Sequence, residues 1–156
     1  MKKLFILLCS LPLLMGMAAC DDDDNLPQVD ISFEFSNATV SNGTVYVAQP
    51  DTLIVEGITV TPTRPNHVAT CVGPVNYWLN GAPIYTTFIA PYGVKIPTDD
   101  LTPGTYTLTA NMGIAEEGAT LATAVTQVKI AVVADASEIP QPGGDSSHLP
   151  VAHKFE

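Results

Sequence analysis

From Val29 onward the chain alternates. Val29, Ile31, Phe33 and Phe35 are apolar, with Asp30, Ser32 and Glu34 between them. A strand repeats every two residues, so the four apolar side chains share one face. Tyr106, Leu108, Ala110 and Met112 repeat the pattern, with Thr105, Thr107, Thr109 and Asn111 opposite. Val128, Ile130 and Val132 mark the core side of a strand over residues 121–133. Between Thr52 and Thr61 the apolar phase changes: Leu53 and Val55 lead, then Ile58 and Val60 take over after Gly57. A glycine at such a break predicts a bulge or bend.

Turn signals divide these runs. Asn42-Gly43 precedes a short strand at 45–48. Asn80-Gly81 predicts a tight hairpin between strands at 75–79 and 83–89, because both residues tolerate positive φ. A further short strand is expected at 94–96, a proline-rich loop at 62–74 and a turn at Glu116-Glu117-Gly118. No stretch keeps helical periodicity over three turns. About seven to eight antiparallel strands in roughly 105 residues, 29–133, predict an all-β domain, a sandwich or barrel. Residues 134–156, with Pro140, Pro142, Gly143 and Gly144, read as a disordered tail.

The first 19 residues have a different pattern. Lys2 and Lys3 precede an apolar run from Leu4 to Leu14, then Met17-Ala18-Ala19. A positive start, a short apolar stretch and small residues are the parts of a cleavable secretion signal. The run falls short of the roughly 20 apolar residues a membrane span needs. Met17-Ala18-Ala19-Cys20 resembles the lipobox of bacterial lipoproteins, with Met where Leu is usual. The resemblance implies cleavage before Cys20, a diacylglycerol on its thiol and acylation of the new amine. Two or three acyl chains anchor firmly where one binds reversibly.

Asp21, Asp22, Asp23 and Asp24 follow directly, and residues 20–28 read as a polar tether. An acidic run in this place resembles the export signal of Bacteroidota-type surface lipoproteins, which implies an outer-membrane anchor with the domain facing outward. In enterobacterial lipoproteins an aspartate there implies retention in the inner membrane. Four consecutive aspartates favour the first rule, and a periplasm-facing domain is the alternative.

Two details narrow the fold further. Leu101-Thr102-Pro103-Gly104-Thr105-Tyr106 resembles the tyrosine corner of immunoglobulin-like sandwiches, and Trp78 stands where such domains often place a core tryptophan. Leu108 replaces the antibody-type cysteine. The resemblance implies a disulfide-free immunoglobulin-like β-sandwich over residues 29–133, and fold alone does not assign a function.

Charge and cysteines limit the chemistry. Loss of the leader takes 156 residues to 137 and, with Lys2 and Lys3 removed, the net charge from −10 to −12. So acidic a chain has no electrostatic footprint for nucleic acid. Of three cysteines, Cys9 leaves with the leader and Cys20 carries lipid, so Cys71 has no partner in the domain. No phosphate loop, H-E-x-x-H, C-x-x-C or G-x-S-x-G is present. His67 and Cys71 read as a loop residue and a small core residue rather than a nucleophile pair. His148 and His153 lack further ligands for a metal. Asp99-Asp100 and Glu116-Glu117 fall in turns without calcium-loop spacing.

The sequence therefore predicts no enzyme and no cofactor beyond the acyl chains on Cys20. It predicts a surface binding or adhesion module for a glycan or a partner protein, with Tyr77, Tyr85 and Tyr92 as candidate contacts. The alternative is a structural or accessory subunit of a surface assembly, or a periplasmic accessory protein. Asp51-Thr52-Leu53 resembles the O-glycosylation triplet of Bacteroidota-type exported proteins, which makes Thr52 a candidate modification site.

Overall fold

A computed structural model of the chain describes residues 25–141 and 148–156. The leader, Cys20 and Asp21–Asp24 lie outside the described residues.

Eleven strands follow in order: β1 (Val29–Phe35), β2 (Thr39–Ser41), β3 (Thr44–Ala48), β4 (Thr52–Pro62), β5 (Ala69–Leu79), β6 (Ala82–Thr87), β7 (Tyr92–Pro97), β8 (Gly104–Glu116), β9 (Ala122–Val133), β10 (His148–Val151) and β11 (His153–Phe155). They form two sheets. The first has the order β10-β1-β4-β7, and the second β2-β3-β9-β8-β5-β6, with β11 also paired to β9. Neighbours are antiparallel except β3 and β9, which run parallel. The inward side chains of both sheets meet in one core, in which Phe33, Leu53, Tyr77, Leu108 and Ile114 are at most 1 % exposed.

The alternation read from sequence sets this core. Val29, Ile31, Phe33 and Phe35 are all buried on β1, and Leu108, Ala110, Met112 and Ile114 on β8. The phase change in β4 is a bulge: Glu34 pairs with Gly57 but Phe35 with Val55, leaving Glu56 unmatched. Gly57 is required there, since a Cβ would stand 2.8 Å from Pro91 Cβ and 2.9 Å from Pro91 O. Asn80 and Gly81 take φ of 47° and 79°, as the hairpin demands. The Asn80 side chain also accepts a bond from the Thr107 amide at 2.8 Å, pinning the turn to β8.

Four expectations are corrected. The strand count rises from seven or eight to eleven, because the short strands β2, β10 and β11 carry too little pattern to read. The loop at 62–74 shrinks to 63–68, since β5 begins at Ala69. Pro74 is accommodated because the ladder to β8 breaks between Val72 and Asn76, where a residue without an N–H costs no ladder bond.

The tail does not stay apart from the domain. β10 pairs with β1 and β11 with β9, so residues 148–155 lie across one side of the sandwich and add a strand to each sheet. Leu149 is 8 % exposed, and Val151 and Phe155 pack on the core. Average composition hid a local alternation of apolar residues. The tether is also shorter than read. Pro27 is buried, the Thr120 amide donates to Asn25 O at 2.9 Å, and the Gln28 amide donates to Glu116 Oε2 at 2.6 Å. Residues 25–28 therefore belong to the packed unit.

Candidate binding face

Directly paired residues of antiparallel strands share a face. On β5, Cys71, Val75 and Tyr77 point inward and are buried, which turns Asn76 and Trp78 outward. Trp78 pairs with Pro83 on β6 and Thr109 on β8, and Thr109 pairs with Gln127 on β9. A second row runs from Thr86 through Asn76 and Asn111 to Val125. The rows are tied laterally: Thr86 Oγ1 donates to Asn76 Oδ1 at 2.9 Å, and Gln127 Nε2 to Thr109 Oγ1 at 3.3 Å. The outer face of the seven-stranded sheet thus presents one half-buried indole among amides and hydroxyls.

The β5, β6 and β8 part of this face is uncharged where the chain as a whole is strongly acidic. Residues 65–94, which include β5 and β6, contain no Asp, Glu, Lys or Arg. The one carboxylate of β8, Glu116, is buried at its end. Toward β9 the face deepens into an open groove of about 600 Å³, lined by Thr107, Val125, Gln127, Lys129, Lys154 and Glu156 among others. It lies where the C-terminal segment crosses between sheets, a crossing held by Thr126 Oγ1 donating to Ala152 O at 2.9 Å. Asparagine, glutamine and threonine both donate and accept, and an indole offers a flat apolar surface and one donor. Such a face can hold a hydroxyl-rich ligand.

The three tyrosines read from sequence do not form a row. Tyr77 is fully buried, its hydroxyl donating to Tyr92 O at 2.6 Å, and burial holds its phenol well above the usual range. Tyr92 is half-buried and bonds Cys71 O at 3.3 Å. Neither is placed to meet a ligand. Tyr85 alone is open, 51 % exposed at the edge strand β6. Its register with Tyr77 points it along the inner side, over a cleft bordered by Ile54, Glu56 and Lys95. Trp78 faces outward rather than into the core, and Tyr77 takes the central position instead. Alternation alone says that the two neighbours point oppositely; which is inside depends on the register with β8.

The remaining candidates are scattered. Cys71 is buried, which pushes its thiol up to about 11 and leaves little thiolate. His67 Nδ1 meets Glu117 O at 2.9 Å in the β4–β5 loop. Thr52 is half-buried at the start of β4, and Leu53 of its triplet is in the core. Asp99-Asp100 and Glu116-Glu117 lie at opposite ends of the 13-residue β8, about 40 Å apart at strand rise. Among the described residues no three His, Cys, Asp or Glu side chains gather.

A polar cluster closes the end of the sandwich where residue 25 enters. Arg64 Nε and Nη2 donate to Glu116 Oε1 and Oε2 at 2.9 and 2.8 Å, and the same carboxylate accepts the Gln28 amide. The Arg64 hydrogen bonds, aided by the Gln28 amide and the nearby positive charges, hold the Glu116 carboxyl below its ordinary value. This cluster joins the entering chain, the β4–β5 loop and β8. At the opposite end, the Tyr106 hydroxyl donates to Thr102 O at 2.8 Å, which is the geometry of a tyrosine corner.

No protein-family model matches the chain, and no curated protein matches it. Among solved structures, the fibronectin(III)-like modules of Clostridium thermocellum CbhA align at 14 % identity with a TM-score of 0.40. The alignment covers 76 % of this chain and 53 % of the other, so the chain spans about half of that structure's length. The two-sheet architecture described above stands on the strand pairing of this chain itself.

Proposed function

We propose that this chain is a lipid-anchored, non-catalytic binding module with an immunoglobulin-like β-sandwich. In this reading Cys20 carries the acyl chains and Asp21–Asp24 direct the domain to the outer surface. The bound partner is an uncharged or weakly charged glycan, held on the outer face of the seven-stranded sheet. The observation that carries this reading is the neutrality of β5, β6 and the outward side of β8 in a chain of net charge −10. A neutral sugar can cover such a surface without stripping water from charged side chains, a cost that a carboxylate-rich surface would impose. Base or phosphate recognition needs a clustered basic patch, and this chain has six lysines and arginines against sixteen acidic residues.

A protein partner is the second reading, favoured by a different observation. Ile84, Tyr85, Phe88 and Ile89 are exposed together on β6 and the loop after it, and an apolar edge of this kind suits strand addition by another chain.

A glycan array probed with the lipid-free domain separates them. The glycan reading expects binding that drops at least tenfold in Trp78→Ala and persists in Phe88→Ala. A silent array, with one stoichiometric protein recovered from native membranes and lost in Phe88→Ala, overturns it in favour of the second.

A further inference from the structure

The end of the sandwich that receives the anchor carries its own apolar surface. Val68 in the β4–β5 loop is 70 % exposed and Leu121, just before β9, is 66 % exposed. Their loops are joined by the Glu117 amide donating to Val68 O at 2.9 Å. The chain enters at this same end. Asn25 Nδ2 donates to Thr120 Oγ1 at 3.1 Å, beside Leu121, and the Thr63 amide donates to Gln28 O at 2.8 Å. Five residue steps separate Asn25 from Cys20, and a fully extended chain covers at most about 3.6 Å per step, or about 18 Å in all.

We infer that the domain stands end-on against the lipid surface, with Val68 and Leu121 seated in the headgroup region. This rests on the reading of Cys20 as the acylated residue. An anchor within about 18 Å holds this end, and not the Asn80-Gly81 end, over the membrane. Apolar side chains delivered there find a partner in the acyl boundary. Electrostatics selects the lipid. Arg64 is neutralised by Glu116, while Glu117 and the four aspartates are acidic, so the contact is with a zwitterionic rather than an anionic surface. The sheet face around Trp78 then stands upright, clear of the bilayer.

The test couples Cys20, as the first residue of the chain, to a maleimide lipid in phosphatidylcholine vesicles with brominated acyl chains. The buried Cys71 stays unreacted. In a Trp78→Phe background, a tryptophan reporter replaces Leu121, or in separate chains Val68 or Asp100, the last at the far end. Bromolipid is expected to quench the reporters at 121 and 68 at least twofold more than the one at 100. Equal quenching at all three positions, in protein that floats with the vesicles, overturns the orientation and leaves the anchor standing. Absence of lipid on Cys20 in protein isolated from its cells overturns the anchoring reading, and this proposal with it.

Discussion

Glu116 shows how much one side chain can organise. Its carboxylate is out of water, yet it is bonded by Arg64 twice and by the Gln28 amide. Its carboxyl in the folded chain lies below the ordinary 4.5. A carboxyl lowered on folding contributes stability that is fully present above its unfolded value and is lost as pH falls through the folded one. Melting temperature should therefore fall on acidification below about pH 5 more steeply in the wild type than in Glu116→Gln. Above that pH the variant should be less stable, because it leaves Arg64 without its ionic partner. Parallel profiles for the two proteins would remove Glu116 from this role. Tyr106 offers a second test. Tyr106→Phe removes the hydroxyl's bond to Thr102 O and its 3.3 Å contact with Thr102 Oγ1 but no packing, which costs about 1 kcal/mol and lowers the melting temperature by roughly 3–5 °C. An unchanged transition would mean that the corner bond exchanges for water at no cost.

Among the elements, the C-terminal pair β10 and β11 departs furthest from expectation. It adds one strand to each sheet on the same side and covers the edge of β1. Unprotected edges invite association, so this segment both packs the core and blocks a pairing site. Leu149 is its buried contact. Leu149→Ala should cost about 2–3 kcal/mol, at the low end for buried leucines because the site is at a sheet edge. Denaturant titration checks this, and chromatography of the same variant should reveal concentration-dependent association as β10 loosens. A stability change under about 0.5 kcal/mol would mean that the segment adds no packing. Among the described residues, the other side of the sandwich, along β6 and β7, has no such cover. Pro83 and the irregularity at Tyr77/Trp78 shorten the stretch of β6 to which another strand could pair.

At the scale of the whole molecule, charge bears on the proposed anchor and face. The full chain's net charge of −10 disfavours contact with anionic surfaces, so under the proposed anchoring attachment falls to the acyl chains and the two loops beside them. Under the proposed surface location, protease added to intact cells should digest the domain as fast as protease added to lysed cells. Digestion only after lysis would move the domain to the periplasmic side and favour the alternative reading of Asp21–Asp24.

The sequence alone determined which residues alternate, and therefore the all-β class, the core faces of β1 and β8, the bulge at Gly57 and the Asn80-Gly81 hairpin. These are local: a period of two and a positive φ depend on neighbouring residues only. The proposed anchor at Cys20 and the reading of Asp21–Asp24 also rest on adjacent residues alone. Tertiary structure decided the rest. Whether Tyr77 or Trp78 is inside depends on a register with Ala110 and Thr109, more than 30 residues away. That Thr109 and Gln127 come to lie beside Trp78 depends on three strands meeting in one order. The folding back of residues 148–155 depends on an edge of β1 and β9 left open by every other strand. A pattern of two apolar residues in four is too short to declare a strand until that edge is there to receive it.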